Sequence, residues 1–335
     1  MRSDRWCLNS GSGGWRAEGA FVLHEALAII AMIALLIATV AVGLAESRRQ
    51  ASLGDSLANL RQFAIGTGAY GADNAERIWT FSWREGVQYV PGVPSAASDA
   101  QAAANQAVWI IRRRADPTMP LVTGWLPHIS YSHLVLADYL DTSLPERWWA
   151  SPEDRQLLSL QSSAPGGGAG SRPRYGSSYE LPPCFWSPDA RLLNPTINTI
   201  AQGSTHTVYT VPTATPLGFR RLDEIRHPAH KAMMFDRYQR HFGPQVAFFA
   251  YDVARVPVLA ADGAAALRQS ADANPGFRPN SPTSSSPTTF NYAPTGSEPA
   301  TLSGASQEQV TGRIRWTRSG LSGRDFGGPE VPWVD

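Results

Sequence analysis

The chain contains one long apolar stretch near its N-terminus, and this stretch limits the structures that the chain can adopt. Residues 21–45 read FVLHEALAIIAMIALLIATVAVGLA, and only His24, Glu25 and Thr39 among them are polar. A helix rises about 1.5 Å per residue, so about 20 apolar residues cross the hydrocarbon core of a bilayer. The stretch is therefore predicted to be a transmembrane helix.

Glu25 is the unusual residue of this stretch, because a carboxylate inside a membrane-spanning helix is unfavourable. The cost is about 2.5–3.5 kcal/mol at the centre of the bilayer and is smaller near an end of the helix. A segment that serves only as an anchor does not require such a residue. We therefore expect Glu25 to have a function of its own.

The composition excludes several classes of function. The formal net charge of +1 gives no argument for nucleic-acid binding by the whole chain. Nearly all basic residues are arginines, and Lys231 is the only lysine. Cys7 and Cys184 are the only cysteines, so removal of the N-terminal segment would leave a single thiol. Neither an internal disulfide nor a cysteine zinc site would then form.

Three interpretations of the N-terminal region compete. The first is a signal peptide cleaved after Gly43-Leu44-Ala45, although the apolar run exceeds the roughly 7–15 residues typical of a signal-peptide core. The second is a plain membrane anchor with a cytoplasmic N-terminus, because Arg2, Arg5 and Arg16 precede the helix. The third depends on the residues at the start of the apolar run.

The segment Gly19-Ala20-Phe21-Val22-Leu23-His24-Glu25 resembles the processing site of type IV prepilins and type II secretion pseudopilins. In that family prepilin peptidase removes a short polar leader, the new N-terminal residue is methylated, and a Glu occupies the fifth position. The resemblance implies a leader at residues 1–20 and cleavage between Ala20 and Phe21, where Ala20 replaces the usual Gly. In a filament, Glu25 would neutralise the amine of a neighbouring subunit's Phe21 and fix the axial register.

The helical pattern continues beyond the apolar run. Apolar residues recur there at spacings typical of one helix face, namely Leu53, Leu57, Leu60 and Ala64. We expect one long helix over residues 21–72, with residues 21–45 in the membrane and the second half packed on a head. The glycines between residues 66 and 71 predict that the helix loosens or ends there.

Four further segments extend the resemblance. Residues 59–62 read NLRQ, residues 70–74 read YGADN, residues 222–241 read LDEIRHPAHKAMMFDRYQRH, and residues 260–263 read AADG. They are similar to segments of prepilin-like proteins with large heads from planctomycete and verrucomicrobial genomes. In those proteins the first two segments end the long helix and the others belong to the head. Ala264 stands where those proteins have His.

Residues 73–335 are predicted to form an α+β head, with an antiparallel sheet on the long helix as in pilins. Loops rich in Pro, Gly or Ser are expected at 86–104, 163–174 and 278–289. Helical segments are predicted at 106–114, which also fits a strand, at 131–140, and at 151–160 with Ser151 as N-cap. Strands are predicted at 175–181, 207–211, 231–235, 246–251, 256–259 and 313–317.

Four residues have side chains that bind metal ions in other proteins, namely His227, His230, Asp236 and His241. No His-Glu-x-x-His motif is present, and Pro228 favours an extended backbone at His227 rather than a shared helix face. We interpret these residues as hydrogen-bonding groups at loop and strand ends, and predict no metal site.

Two other kinds of site were weighed. Some pseudopilins hold calcium in head loops, and the candidate ligands Asp252, Asp262 and Asp272 lack the spacing of an EF-hand loop. A serine hydrolase would require a Gly-x-Ser-x-Gly elbow, which the sequence does not contain. The sequence therefore predicts neither a catalytic site nor a cofactor.

The predicted function is a structural subunit of a type IV pilus-like or type II secretion pseudopilus filament. Its expected partners are other pilin or pseudopilin subunits, prepilin peptidase, and the inner membrane with its assembly machinery, and not nucleic acid. It would span the inner membrane once, with its head in the periplasm or outside, before it joins a filament. The alternative is a membrane-anchored or exported periplasmic binding protein or enzyme whose helix is only an anchor or signal.

Overall fold

The computed structural model describes residues 23–140, 143–163, 169–189, 198–212, 215–243, 245–281, 283–296 and 298–331. It shows an α+β protein with a long N-terminal helix and several antiparallel sheets, which confirms the predicted fold class. The chain divides into two compact units, Met1–Arg48 and Arg49–Asp335.

Helix α1, Leu23–Asp73, is 51 residues long. The predicted loosening at the glycines is wrong, because the helix continues through them. A Cβ atom at Gly66 would lie only 3.0–3.3 Å from side-chain atoms of Leu136 and Leu140. The missing side chain therefore lets the helix approach these leucines closely, and this packing offsets the low helix propensity of glycine.

Helix α1 ends where the sequence changes to YGADN, as predicted. The side-chain amide of Asn74 donates a hydrogen bond to the carbonyl of Tyr70 at 2.9 Å. Ala75 and Glu76 then adopt positive φ angles of 54° and 59°, which no helix continues. The bound carbonyl and the left-handed residues together turn the chain away from the helix.

Helix α2, Asp99–Arg114, corrects the loop predicted for residues 86–104. The hydroxyl of Ser98 caps its N-terminus by accepting a hydrogen bond from the backbone N–H of Gln101 at 3.2 Å. The alanines that follow are buried, namely Ala102, Ala103, Ala104 and Ala107. The helical alternative predicted for 106–114 is confirmed, whereas the run of alanines before it has no strong polar–apolar period and did not reveal the first turns of α2.

Several shorter helices follow. Two are α-helices, α3 at His128–Tyr131 and α4 at Arg155–Ser162. The 3-10 helices are Ser132–Asp138, Arg147–Trp149, Ala169–Tyr175, Pro183–Phe185, Leu222–Glu224, Pro228–His230, Ser270–Asp272, Arg313–Arg315 and Gly320–Ser322. The helical spacing predicted for residues 131–140 thus corresponds to a 3-10 helix. The loop predicted at 163–174 includes one as well, and its residues 164–168 lie outside the described residues.

The predicted N-cap of α4 is wrong by three residues. Asp154 rather than Ser151 caps the helix, and its carboxylate accepts a hydrogen bond from the backbone N–H of Leu157 at 3.1 Å. Ser151 is buried, and its N–H donates to the hydroxyl of Ser178 at 2.9 Å. This tertiary contact holds Ser151 outside the helix.

The described residues form ten strands, each paired antiparallel. They are β1 Tyr179–Glu180, β2 Ala201–Gln202, β3 Tyr209–Thr210, β4 Ala232–Asp236, β5 Tyr238–Gln239, β6 Ala247–Phe248, β7 Arg255–Ala260, β8 Ala265–Gln269, β9 Thr289–Tyr292 and β10 Glu308–Thr311. The main sheet has the order β1-β4-β7-β8, and the others pair as β2-β3, β5-β6 and β9-β10. The turn Asp262-Gly263 joins β7 to β8, and Gly263 has the positive φ of 90° that such a turn favours.

Five predicted strand segments contain a strand, namely those with β1, β3, β4, β6 and β7. The sixth, 313–317, is wrong. It begins with a 3-10 helix, and residues 314–317 are buried without alternation. There Arg315 turns inward and its Nη2 atom lies 2.7 Å from Oε2 of Glu180. The loop predicted at 278–289 ends at β9.

The main core surrounds the second part of α1, residues 49–73. The predicted stripe is confirmed, since Leu53 and Leu60 are buried and Leu57 and Ala64 are half-buried. Most of the largest fully buried side chains of the described residues are aromatic, among them Trp79, Trp149, Trp186, Tyr175, Tyr179 and Phe63. Aromatic side chains therefore fill much of this core.

Candidate functional site

The first part of α1 presents a long, largely apolar surface. Exposed fractions reach 82% at Leu23 and 67% at Leu27, and large apolar side chains remain exposed as far as Leu44. Within this surface the hydroxyl of Thr39 donates to the carbonyl of Leu36 at 2.9 Å. The only hydroxyl of the apolar run therefore has a partner in its own helix, as an apolar environment requires.

Helix α1 is the one helix of the described residues that is long and apolar enough to cross a membrane. None of its most apolar 18-residue window is buried within the protein. An apolar helix that none of the described residues buries differs from the core helix of a globular domain, whose apolar side chains are covered. A span close to the N-terminus is thus compatible with a single-pass membrane protein.

Glu25 lies in the first turn of α1, and its side chain is exposed. A carboxylate at this end of a helix interacts favourably with the positive end of the helix dipole. The predicted cleavage site between Ala20 and Phe21 lies outside the described residues. The structure thus positions one of the three predicted processing and assembly residues.

The second part of α1 is fixed to the head by specific contacts. The ring of Phe63 lies 4.8–6.3 Å from four other aromatic rings, including those of Trp79 and Tyr179. The indole N–H of Trp79 donates to the hydroxyl of Thr67 at 2.6 Å, and the hydroxyls of Ser56 and Tyr179 are hydrogen-bonded at 2.8 Å. The hydrogen bonds are directional, so they fix the orientation of the helix in addition to the burial of its apolar side chains.

The four residues considered for metal binding contribute to other contacts. No group of three or more His, Cys, Asp or Glu side chains suited to a metal ion occurs in the part of the chain that the structure describes. His227 accepts a hydrogen bond from Arg324 at 3.4 Å, Asp236 is ion-paired with Arg240, and Nδ1 of His241 lies 3.3 Å from Oγ of Ser52. His230 is exposed.

The three aspartates considered for calcium also lie in separate settings. Asp252 is ion-paired with Arg313 at 2.5 Å, and Asp262 accepts a hydrogen bond from the backbone N–H of Ala264 at 2.9 Å. Asp272 ends a 3-10 helix. Asp252 thus contributes to an ion pair, and Asp262 stabilises a local turn.

The head also contains a cleft of about 650 Å³ that the sequence did not indicate. Its polar lining includes Tyr131, Asp154, Arg155, Arg237, Arg240 and Glu298. Nη2 of Arg237 donates to the carbonyl of Ser177 at 3.1 Å, whereas its Nε atom is buried without a partner among the described residues. These residues come from four separate segments of the chain, and no motif links them.

The charges of the cleft are largely compensated. Burial acts to raise the pKa of Asp154, but Arg240 and hydrogen bonds from Ser178 and Leu157 lower the pKa overall. Glu298 has a pKa lowered to about 2, since hydrogen bonds from His206 and the backbone of Thr295 outweigh its burial. Both carboxylates are therefore ionised at neutral pH, and Arg237 is the cation that lacks a carboxylate partner within the described residues.

Comparison of the chain with known protein families, with curated proteins and with solved structures finds no match. The resemblance to prepilins therefore depends on the short segments quoted above. To this resemblance the fold adds two coarser observations, the α+β class and the long apolar N-terminal helix.

Proposed function

We propose that the chain is a structural subunit of a type IV pilus-like or type II secretion pseudopilus filament. The observation that carries the proposal is the division of α1 into two kinds of surface. Its first part is apolar and exposed, with an acid in the first turn, and its second part is buried in the head. In this proposal the first part of the helix is the surface that assembles into a filament, and the second part carries the head.

The apolar surface suits a subunit that exchanges lipid for protein. In the membrane, lipid tails surround the side chains of residues 23–44. In a filament, the corresponding side chains of neighbouring subunits replace the lipid, and close packing supplies the attraction. Glu25 would be unfavourable in either environment unless it is paired, and pairing with a neighbour's Phe21 amine gives the filament its register.

Processing follows from the same proposal. Prepilin peptidase would cleave between Ala20 and Phe21 while α1 spans the inner membrane. The head would lie in the periplasm or outside. The partners are other subunits, the peptidase and the assembly machinery of the inner membrane, and the head requires no catalytic activity of its own.

The mature N-terminus tests the proposal directly. We expect mass spectrometry of the full chain from its native membrane to give an N-terminal peptide that starts at methylated Phe21. The alternative of a cleaved signal predicts a chain that starts at Glu46, and a plain anchor retains residues 1–20. Either of those two results contradicts the proposal.

The second arm of the test replaces the acid. Glu25→Ala should leave the amount of membrane-inserted subunit unchanged but reduce filaments strongly, because the N-terminal amine loses its partner. The matched control is Glu46→Ala, at an exposed position on the same helix just beyond the apolar run, which should assemble normally. Native levels of Glu25→Ala filaments, measured by shearing and microscopy, would remove the register function.

The cleft of about 650 Å³ favours a second candidate, an anchored or exported binding protein. Its volume is that of a small-molecule site, and Arg237 supplies a cation without a carboxylate partner in the described residues. The N-terminal measurement separates the two candidates, since a binding protein requires neither methylated Phe21 nor Glu25.

A further inference from the structure

The single lysine of the chain lies in the interior of the head. The side chain of Lys231 is 0% exposed, and its Nζ atom lies 3.3 Å from Oδ2 of Asp325, whose side chain is 2% exposed. The other buried ion pairs of the described head use arginine, namely Glu180–Arg315, Asp189–Arg220 and Asp236–Arg240. A guanidinium does not lose its proton in proteins, whereas an amine can become a neutral nucleophile.

The groups around this pair are arranged for a reaction between its members. Nζ of Lys231 donates to the hydroxyl of Thr317, and that hydroxyl donates to Oδ1 of Asp325 at 2.5 Å. The backbone N–H of Ala232 donates to Oδ2 of Asp325 at 2.8 Å. Oδ1 of Asp325 is thus connected to the Lys231 amine through the hydroxyl of Thr317, and Oδ2 faces the backbone N–H of Ala232.

The backbone holds both residues in place. The N–H of Asp325 donates to the carbonyl of His230 at 2.8 Å, and the N–H of Asn274 donates to the carbonyl of Asp325 at 2.8 Å. The carbonyl of Lys231 accepts a hydrogen bond from Ala261 at 2.9 Å. Two reacting groups that are fixed in contact and shielded from water react as in an intramolecular reaction of high effective concentration.

We propose that Lys231 and Asp325 condense to form an intramolecular isopeptide bond. The pair first exchanges one proton and becomes a neutral amine and a carboxylic acid. The nitrogen lone pair of Lys231 then attacks Cγ of Asp325, with the developing negative charge on Oδ2 beside the N–H of Ala232. The C–N bond forms, the C–Oδ1 bond breaks, and one amine proton passes through Thr317 to Oδ1. One water molecule leaves, and no oxidant or reductant is required.

The environment favours one of the two protonation states that the reaction needs. Burial raises the pKa of Asp325, which favours the carboxylic acid. Burial acts to lower the pKa of Lys231, but the charge of Asp325 and the contact with Cys184 raise the pKa overall, so the resting pair is ionic. The proton transfer along Thr317 converts the ionic pair to the reactive pair, and the buried amide product is protected from hydrolysis.

A protease that cleaves only after lysine gives a decisive test, because the chain contains one cleavage site for it. The full chain is denatured and digested, and its intact mass is measured in parallel. We expect a chain that resists cleavage and is lighter than the mature sequence by one water. Cleavage into two fragments at Lys231 overturns the proposal, and so does a resistant chain that has gained mass through a modified amine.

Variants locate the bond and its proton path. Asp325→Ala should restore cleavage at Lys231, and the exposed Asp252→Ala is the matched control that should stay resistant. Thr317→Ala should slow bond formation by about 100-fold or more, the usual effect of a general acid–base group, and Thr317→Ser should restore the rate. The assay uses denatured protein, so the wild-type result decides even if a variant folds poorly. Equal rates for the alanine and serine variants would remove Thr317 from the path.

Discussion

At the scale of single residues, His128 shows what burial does to a titratable group. Its ring stacks on Trp186 at 4.9 Å between centroids and contacts Phe81 edge-on at 5.3 Å. Neither ring nitrogen has a hydrogen-bond partner in the described part of the chain. Burial lowers the pKa of His128 to about 3, although the charge of Asp99 acts to raise it. The folded head therefore holds this side chain in its neutral form.

The resulting pH dependence can be derived with its sign. Below a pH of about 6.5 the unfolded chain protonates this histidine, whereas the folded chain does so only near pH 3. With respect to this histidine, the free energy of unfolding therefore has its full value above pH 6.5. It decreases as the pH falls towards 3, by at most about 1.4 kcal/mol per pH unit for one histidine. His133, whose pKa burial also lowers to about 3, adds a similar contribution.

We expect His128→Phe to reduce this slope, because phenylalanine keeps the ring contacts and has no proton to bind. The free energy of unfolding of the full chain in detergent, measured with urea between pH 7 and 4.5, should lose up to about 1.4 kcal/mol less per pH unit than the wild type does. His230→Phe, at an exposed position, is the control and should keep the wild-type slope. Identical slopes for His128→Phe and wild type would contradict the burial argument.

At the scale of elements, the second part of α1 organises the head. Leu60 and Phe63 have no exposed surface, and their neighbours come from segments far along the chain. Ile65, two residues after Phe63, is 68% exposed because it points to the opposite side of the helix. The same helix therefore offers a buried and an exposed test position of similar character.

We expect Phe63→Ala to lower the free energy of unfolding by about 3–5 kcal/mol, since it removes a fully buried ring and leaves a cavity. Ile65→Ala should change the free energy by about 0.5 kcal/mol or less, as is usual for exposed positions. Chemical denaturation followed by tryptophan fluorescence measures both. Similar losses for the two variants would show that α1 is not embedded in the head as described.

The sequence predicted those elements whose own residues show a clear pattern of apolar and polar side chains. The stripe that contains Leu60 and the compact strands β4 and β7 were found in this way. The strand β8 was missed because its residues Ala265–Gln269 are half-buried or exposed and show no alternation. Arg315 ends a 3-10 helix and is ion-paired with Glu180, a contact that no local pattern encodes. The cleft was missed for the same reason, whereas Glu25 was recognisable as an acid in an apolar run.

At the scale of the whole molecule, the chain combines a helix segment suited to lipid with a head suited to water. No Asp, Glu, Lys or Arg occurs between Glu25 and Glu46, whereas the head carries most of the charged residues of a chain with net charge +1. The apolar side chains of this segment are exposed in the isolated protein. An apolar surface of this extent promotes aggregation in water unless it is covered.

We expect Ile33→Arg to impair membrane integration of the full chain. An arginine near the centre of a span costs about 2.5–3.5 kcal/mol on insertion scales, and Ile33 lies within the exposed apolar surface. The control Ile65→Arg places the same charge at an exposed position outside this surface and should integrate normally. Resistance of the chain to extraction with alkaline carbonate measures integration, and equal resistance of both variants would argue against a span at residues 23–44.

The enclosure of Lys231 has a consequence for the chemistry of the protein surface. With the only lysine side chain inside the head, every exposed basic side chain other than histidine is a guanidinium. Aldehydes, activated esters and acetylating agents react with amines and leave guanidinium groups largely untouched. The folded protein thus offers such reagents no exposed lysine amine, so a label would attach at the N-terminal amine of the unassembled subunit and mark a single defined end.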